Sequence, residues 1–340
     1  MRLTNRLPLD VSRELIEKTE AITDPDYGYI PNRRPIKEYI SLGVINLDKP
    51  SGPTSHEVVS WVKKILNIPK AGHGGTLDPK VTGLLPVMLG DATKSVGSLM
   101  KAGKEYICLM RLHSIVKKTV IERIASEFTG PIYQRPPVKS AIKRELRIRT
   151  IYYLDIMEIE GSSVLMRVGC ESGTYIRKLC HDIGAALGTG AHMQELRRTR
   201  SGPFKEDDSL ITLFDLKDAV VMCQESGEEN ELRRVIQPME MGLVHLPRII
   251  IRDNAVDAIC HGASLAVPGI VKIDTGIQPD DIVLVMSLKG EAVALAQALM
   301  DTDCVLNTDT GLAAQSKRVL MREGMYPKGW LAKKDTNLPR

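Results

Sequence analysis

The chain has 340 residues, 43% hydrophobic, 26% charged and 4% aromatic, with a formal net charge of +4. This length exceeds a single-core domain of roughly 100–200 residues, and the balance excludes a mainly disordered chain. So small a positive excess permits a polyanionic partner without requiring one, and local clustering has to decide.

Residues 1–41 are charged and punctuated by Pro and Gly (DPDYGYIPNRRP), which predicts an extended arm that docks on another part of the protein. GVINL at 43–47 suits a short buried strand, DKPSGP a turn, and a helix opens at Thr54 with a capping box to Glu57. Val58, Val62, Ile65 and Leu66 share its inner face. AGHGGTLDPKVTG at 71–83 is a glycine-rich loop before the apolar LLPVMLG. A strand follows at 104–112, a helix near 118–128, then the basic loop IYQRPPVKSAIKRELRIR. IYYLDIMEIE and VLMRVGCE flank an EGSS turn as a hairpin. A helix from Thr174 places Ile176, Leu179, Ile183 and Leu187 inward, and MQELRRTRSGPF reads as a charged edge strand.

Hairpins mixed with helices, without β-α-β alternation, predict an α+β catalytic domain with a mixed, mainly antiparallel sheet, over about 42–245. From Leu246 the pattern restarts as IIIR, a helix from Asp253 to Gly262, and two apolar runs joined at Lys289-Gly290. This predicts a small β-barrel-like domain over 246–327, then a short basic tail at 328–340.

Cys108, Cys170, Cys180, Cys223, Cys260 and Cys304 form no C-x-x-C pair, so buried reduced thiols in an intracellular protein are expected. The N-terminus MRLTNRLPLDVSRELIEK lacks the apolar core of a signal peptide, and no 18-residue apolar run follows, so a soluble cytoplasmic protein without membrane partners is expected. Its location would be nucleolar in a eukaryote.

In GHGGTLDP, Asp78 is fixed before Pro79 with three glycines nearby, an arrangement open to a catalytic carboxylate or to a simple turn cap. No second carboxylate or histidine stands at ligand spacing around it, so no metal and no cofactor are expected.

Read together, NLDKPSGPTSHEVVSWVKKIL (46–66), AGHGGTLDPKVTGLLPVMLGDATK (71–94), GKEYICLMRL (103–112), IYQRPPVKSAIK (132–143) and SGTYIRKLCHDIGAALGTGAHMQELRRTRSGPF (172–204) resemble, in order, the signatures of the TruB/dyskerin family of RNA pseudouridine synthases. The resemblance implies Asp78 as the catalytic aspartate, Arg177 as its ion-pair partner and Tyr106 as the aromatic stacked on the target uracil. His73 matches the histidine associated with flipping the base out of its stack. Lys49 and Tyr175 match positions at the rim, and Leu196 an apolar contact to the base. Lys49 can also be read as an ordinary solvated lysine, and His73 as a hydrogen-bonded loop residue.

Two basic clusters suit phosphate binding: Arg135, Lys139, Lys143, Arg144, Arg147 and Arg149 in one, Arg197, Arg198, Arg200 and Lys205 in the other. The segment from Leu246, with HGASLAVPGI, resembles a PUA RNA-binding domain. The short SA-x-K region, the arm and the brief tail resemble the archaeal dyskerin-type branch. That branch works with a box H/ACA guide RNA on a substrate RNA, rRNA and possibly tRNA. Its protein partners are a small zinc-bearing subunit, a glycine-arginine-rich-protein homologue and a kink-turn-binding ribosomal-protein-like subunit. A guide-RNA scaffold without catalysis would have lost Asp78, Tyr106 or Arg177, and an Asp-dependent phosphoesterase would need metal ligands that are not found.

Overall fold

Strand pairing organises the chain, as the alternating apolar runs require. The computed structural model describes residues 6–136, 143 and 145–328, which pack as two units. One takes the chain up to residue 11, 44–89 and 96–236; the other takes 12–43, 90–95 and the chain from 237 on.

In the first unit the sheet order is Leu210–Ile211, Gly43–Lys49, Thr82–Leu89, Ala191–Ser201, Lys104–Leu112, Ser163–Cys170, Arg147–Glu160 and Gly130–Gln134. Ala191–Ser201 runs parallel to Thr82–Leu89, and Leu210–Ile211 parallel to Gly43–Lys49; the other pairs along this order are antiparallel. The expected α+β class with a mixed, mainly antiparallel sheet therefore forms. The expected hairpin forms too, with Glu160 opposite Ser163.

MQELRRTRSGPF is not an edge. Its strand lies in mid-sheet, between Thr82–Leu89 and Lys104–Leu112. Alternation shows which residues share a face but not which strand flanks them, and fixed partners for the arginines make a charged strand tolerable here. Gly83 permits the parallel contact: its φ is +98°, and a Cβ there would meet the Arg198 carbonyl oxygen at 2.2 Å.

One sheet face buries Cys108, Met110, Met166 and Val168 against Ile176, Leu179, Cys180 and Ile183 of the helix Ile176–Ala186. The helical spacing puts these residues on one side, and each large aliphatic contributes about 1.5–3 kcal/mol. The helix starts at Ile176 instead of Thr174, because Gln134 takes up the backbone of Tyr175. The helix Ser55–Leu66 has the expected capping box, with Glu57 N donating to Thr54 Oγ1 at 3.2 Å and Thr54 N to Glu57 Oε2 at 2.7 Å.

In the second unit a seven-stranded sheet runs Leu15–Glu17, Ile270–Asp274, Arg248–Ile251, Ile282–Ser287, Ala292–Ala298, Leu312–Val319 and Leu265–Ala266. Ile249, Ile251, Val283, Val285 and Ala294 lie in its core. Leu15 pairs with Asp274, so part of the N-terminal arm is a strand of this sheet. Arg34 forks onto the buried Glu240 at 2.7 and 3.0 Å. Among the described residues no helix is long and apolar enough to cross a membrane.

Candidate active site

The loop that carries Asp78 is bolted to the segment before it. Lys49, at the end of the strand Gly43–Lys49, has no exposed surface, and its Nζ donates to the carbonyls of Pro50, Pro79 and Val81, each at 2.9 Å. Ser55, also buried, donates through Oγ to Leu77 O at 3.1 Å and accepts from Leu77 N at 2.9 Å. Gly52 N donates to Pro79 O at 2.9 Å, and Val81 N closes a turn onto Asp78 O at 3.0 Å. The DKPSGPTS turn is therefore the anchor of the loop. The sequence reading of Lys49 as a solvated lysine is corrected: it lies under the loop, and the carbonyls that hold it are the reason.

Asp78 itself is open. Arg177, in the first turn of the helix Ile176–Ala186, donates through Nη2 to Asp78 Oδ2, and both side chains are 55% exposed. A pair so open contributes only about 0–1 kcal/mol to stability, so folding does not account for it. Its place is set by Gln134, 2% exposed, whose amide donates to Tyr175 O at 3.1 Å and accepts from Tyr175 N at 2.9 Å. That clamp fixes the helix start two residues before Arg177.

Tyr106 stands opposite Arg198 across the pairing of Lys104–Leu112 with Ala191–Ser201, and Cys108 opposite Leu196. Both Tyr106 and Leu196 are half-buried against the core. Burial raises the Tyr106 hydroxyl above its ordinary pKa; Arg198 opposes the shift and the charge of Asp78 adds to it. The same carboxylate opposes the fall that burial imposes on the Lys49 amine. Lys49 and Tyr106 thus both feel the field of Asp78.

His73 ends the short strand Ala71–His73, half-buried and edge-on to His56 with ring centroids 5.1 Å apart. Burial, then His56 and Arg198, lower its pKa, so the ring is neutral at pH 7 and suited to apolar contact with a base instead of ion pairing with phosphate.

Lys104 was not singled out from the sequence. It is 4% exposed, and its amine donates to the carbonyls of Leu99, Met100 and Ala102 at 2.7, 3.3 and 2.7 Å. Burial, reinforced by Arg198, pulls its pKa from 10.5 to about 7. Between about pH 7 and 10.5 the unfolded chain holds a proton that the folded one sheds, so this group makes stability rise with pH across that window. Below about pH 7 both states are protonated and the gain is gone. Lys104→Met should flatten that rise, read as unfolding midpoints against pH; a slope equal to that of the parent chain would contradict the assignment.

The arginines of the second basic cluster have partners within the protein. Arg198 is 1% exposed, with Nε donating to Leu84 O at 2.7 Å and Nη2 to Gly75 O at 3.0 Å. Arg197 forks onto Asp48 at 2.9 and 3.0 Å and also meets Glu206. Arg200 is held by Asp10, whose carboxyl it keeps below the usual range. In the first cluster Arg149 pairs with Glu171 at 3.2 Å, Lys143 pairs with Glu145 at 2.9 Å while staying exposed, Arg135 is exposed and Arg147 half-buried. Lys139 and Arg144 lie outside the described residues.

Comparisons with known proteins agree along the chain. Residues 63–119 and 113–176 match the TruB family pseudouridylate synthase N-terminal domain, and 177–244 the tRNA pseudouridylate synthase B C-terminal domain. Residues 4–59 match the DKCLD domain and 247–320 the PUA domain. A probable tRNA pseudouridine synthase B of Methanosarcina barkeri is 59% identical over 98% of both chains, and one of Methanopyrus kandleri 61% identical over 96% of both. Among solved structures, a chain of an H/ACA RNP bound to a substrate RNA containing 2′-deoxyuridine is 54% identical, with TM-score 0.91, over 96% of this chain and 100% of that one. A chain of a Cbf5–Nop10–Gar1 complex is 56% identical, with TM-score 0.90, over 95% and 98%.

Proposed function

Because this chain belongs to the TruB/dyskerin family of RNA pseudouridine synthases, we propose that it isomerises uridines presented by an H/ACA guide RNA, with the Asp78 carboxylate at the reacting sugar. As an RNA pseudouridine synthase it breaks the bond from N1 of uracil to C1′ of ribose and makes one from C5 to C1′. N1 gains a proton and C5 loses one, so neither oxidant nor reductant is consumed. An anion beside C1′ can attack it or stabilise the positive charge that grows there. Tyr106 is assigned to the face of the uracil, Leu196 to its apolar edge, His73 to the space the flipped base leaves, and Tyr175 to the rim.

The observation that carries this reading is the contrast around Asp78: an exposed carboxylate, ion-paired with Arg177, on a loop whose backbone is fixed from below by Lys49 and Ser55. A rigid anion facing solvent is prepared for a substrate.

Chains 53–56% identical stand in an H/ACA RNP with a substrate RNA, in an archaeal box H/ACA Nop10–Cbf5 complex and in a Cbf5–Nop10–Gar1 complex. We assign to this chain the same kind of partners, together with a kink-turn-binding subunit. The RNA path is placed along the 135–149 segment and the PUA domain. The names of the relatives point to tRNA, so guide dependence is the quantity to measure. Pseudouridine mapped by carbodiimide modification and primer extension should appear at the guide-paired target uridine and vanish without guide. Equal modification without guide would replace the guided reading with a stand-alone one.

A further inference from the structure

Beneath the Asp78 loop lie three buried basic side chains, Lys49, Lys104 and Arg198, at 0%, 4% and 1% exposure. Among the described residues none of them has a salt-bridge partner; all bond to backbone carbonyls. A cation buried without a carboxylate is costly, and an apolar side chain would fill the same space more cheaply. Arg198 does what no apolar side chain could. Its planar fork holds the carbonyl of Gly75, three residues before Asp78, and that of Leu84 in the neighbouring strand, while it faces the Tyr106 hydroxyl across the sheet. Gly75 lies at φ +141°, a conformation only glycine takes readily, so the loop needs a partner to hold it there.

We propose that Arg198 is a positioning residue that sets the Asp78 carboxylate against the Tyr106 ring, by holding the loop at Gly75 and facing the hydroxyl of Tyr106, without touching RNA. The inference rests on the reading of Asp78 and Tyr106 given above. Loss of the fork frees the loop by a fraction of its width, and a misplacement of about 1 Å costs on the order of 100-fold in rate.

The test uses the full chain assembled with guide and target RNA, carrying Arg198→Met or Arg198→Lys. Arg198→Met should lower the single-turnover rate at saturating RNA by about 100-fold, with Arg198→Lys falling between it and the parent. RNA affinity should stay within about twofold and its salt dependence should not change. A structural role alone would not move the last readout: the phenol of 3-fluorotyrosine placed at position 106, followed by fluorine resonance, should ionise at higher pH in Arg198→Met, because the opposing guanidinium charge is gone.

A salt slope shallower by about one unit would make Arg198 a phosphate contact, and an unshifted phenol with a slowed rate would leave it a scaffold residue; either overturns the proposal. A parent-like rate also overturns it. If Arg198→Met does not fold, Arg198→Lys decides: a lowered rate at unchanged affinity supports the proposal, and full activity removes it. Should Asp78→Asn stay active, the reading of Asp78 falls while the phenol shift stands, so the two failures can be told apart.

Discussion

Asp78→Asn should lower the isomerisation rate by on the order of 10⁴-fold while leaving guide and target affinity within about twofold. The amide keeps the shape of the carboxylate and can still accept from Arg177, but it carries no charge to offer the sugar at C1′. Folding should not suffer, since the Asp78–Arg177 pair is 55% exposed on both sides and such pairs contribute at most about 1 kcal/mol. Single-turnover rates at saturating RNA, affinities by titration and an unfolding midpoint separate the three effects. A rate within about tenfold of the parent would remove Asp78 from the chemistry.

Lys49→Met should damage both folding and rate, by a different route. It strips the donor from the carbonyls of Pro50, Pro79 and Val81; Pro79 O keeps Gly52 N and Pro50 is open to water, so the buried Val81 carbonyl bears the main cost, about 1–3 kcal/mol when left unpaired. Part of this is offset because a buried ammonium is no longer desolvated, so a net loss of about 1–2 kcal/mol is expected. The freed loop should also slow single turnover by about 100-fold in molecules that remain folded. An exposed lysine would cost within about 0.5 kcal/mol, so a stability change that small would contradict the buried anchor.

The fold was legible wherever local pattern dictates it. The capping box at Thr54 and Glu57 and the apolar stripe through Ile176, Leu179 and Ile183 are short-range signals, and both elements formed within two residues of expectation. The mid-sheet place of Ala191–Ser201 was not legible, because Arg197, Arg198 and Arg200 look solvated until Asp48, Glu206, Asp10 and two backbone carbonyls are brought to them. Those partners lie 114 to 190 residues away in the chain, Glu206 excepted. Lys49 was misplaced for the same reason: its acceptors are carbonyls, which no residue code reveals. Lys104 did leave a signal, since strand alternation puts it on the same face as Tyr106, Cys108 and Met110, and a lysine on an inward face calls for a buried role. Asp78 and Arg177, 99 residues apart, were joined in advance only by the family resemblance.

The most direct test of the account is the fate of one target uridine, labelled with tritium at C5, in a guide-paired RNA incubated with this chain and its partners. Nucleoside analysis should return one pseudouridine for each tritium released to water, with no free uracil and no change in chain length. Free uracil with an abasic site would mean that the bond to N1 is hydrolysed instead of exchanged, and the claim that this chain rejoins uracil to ribose through carbon would fail.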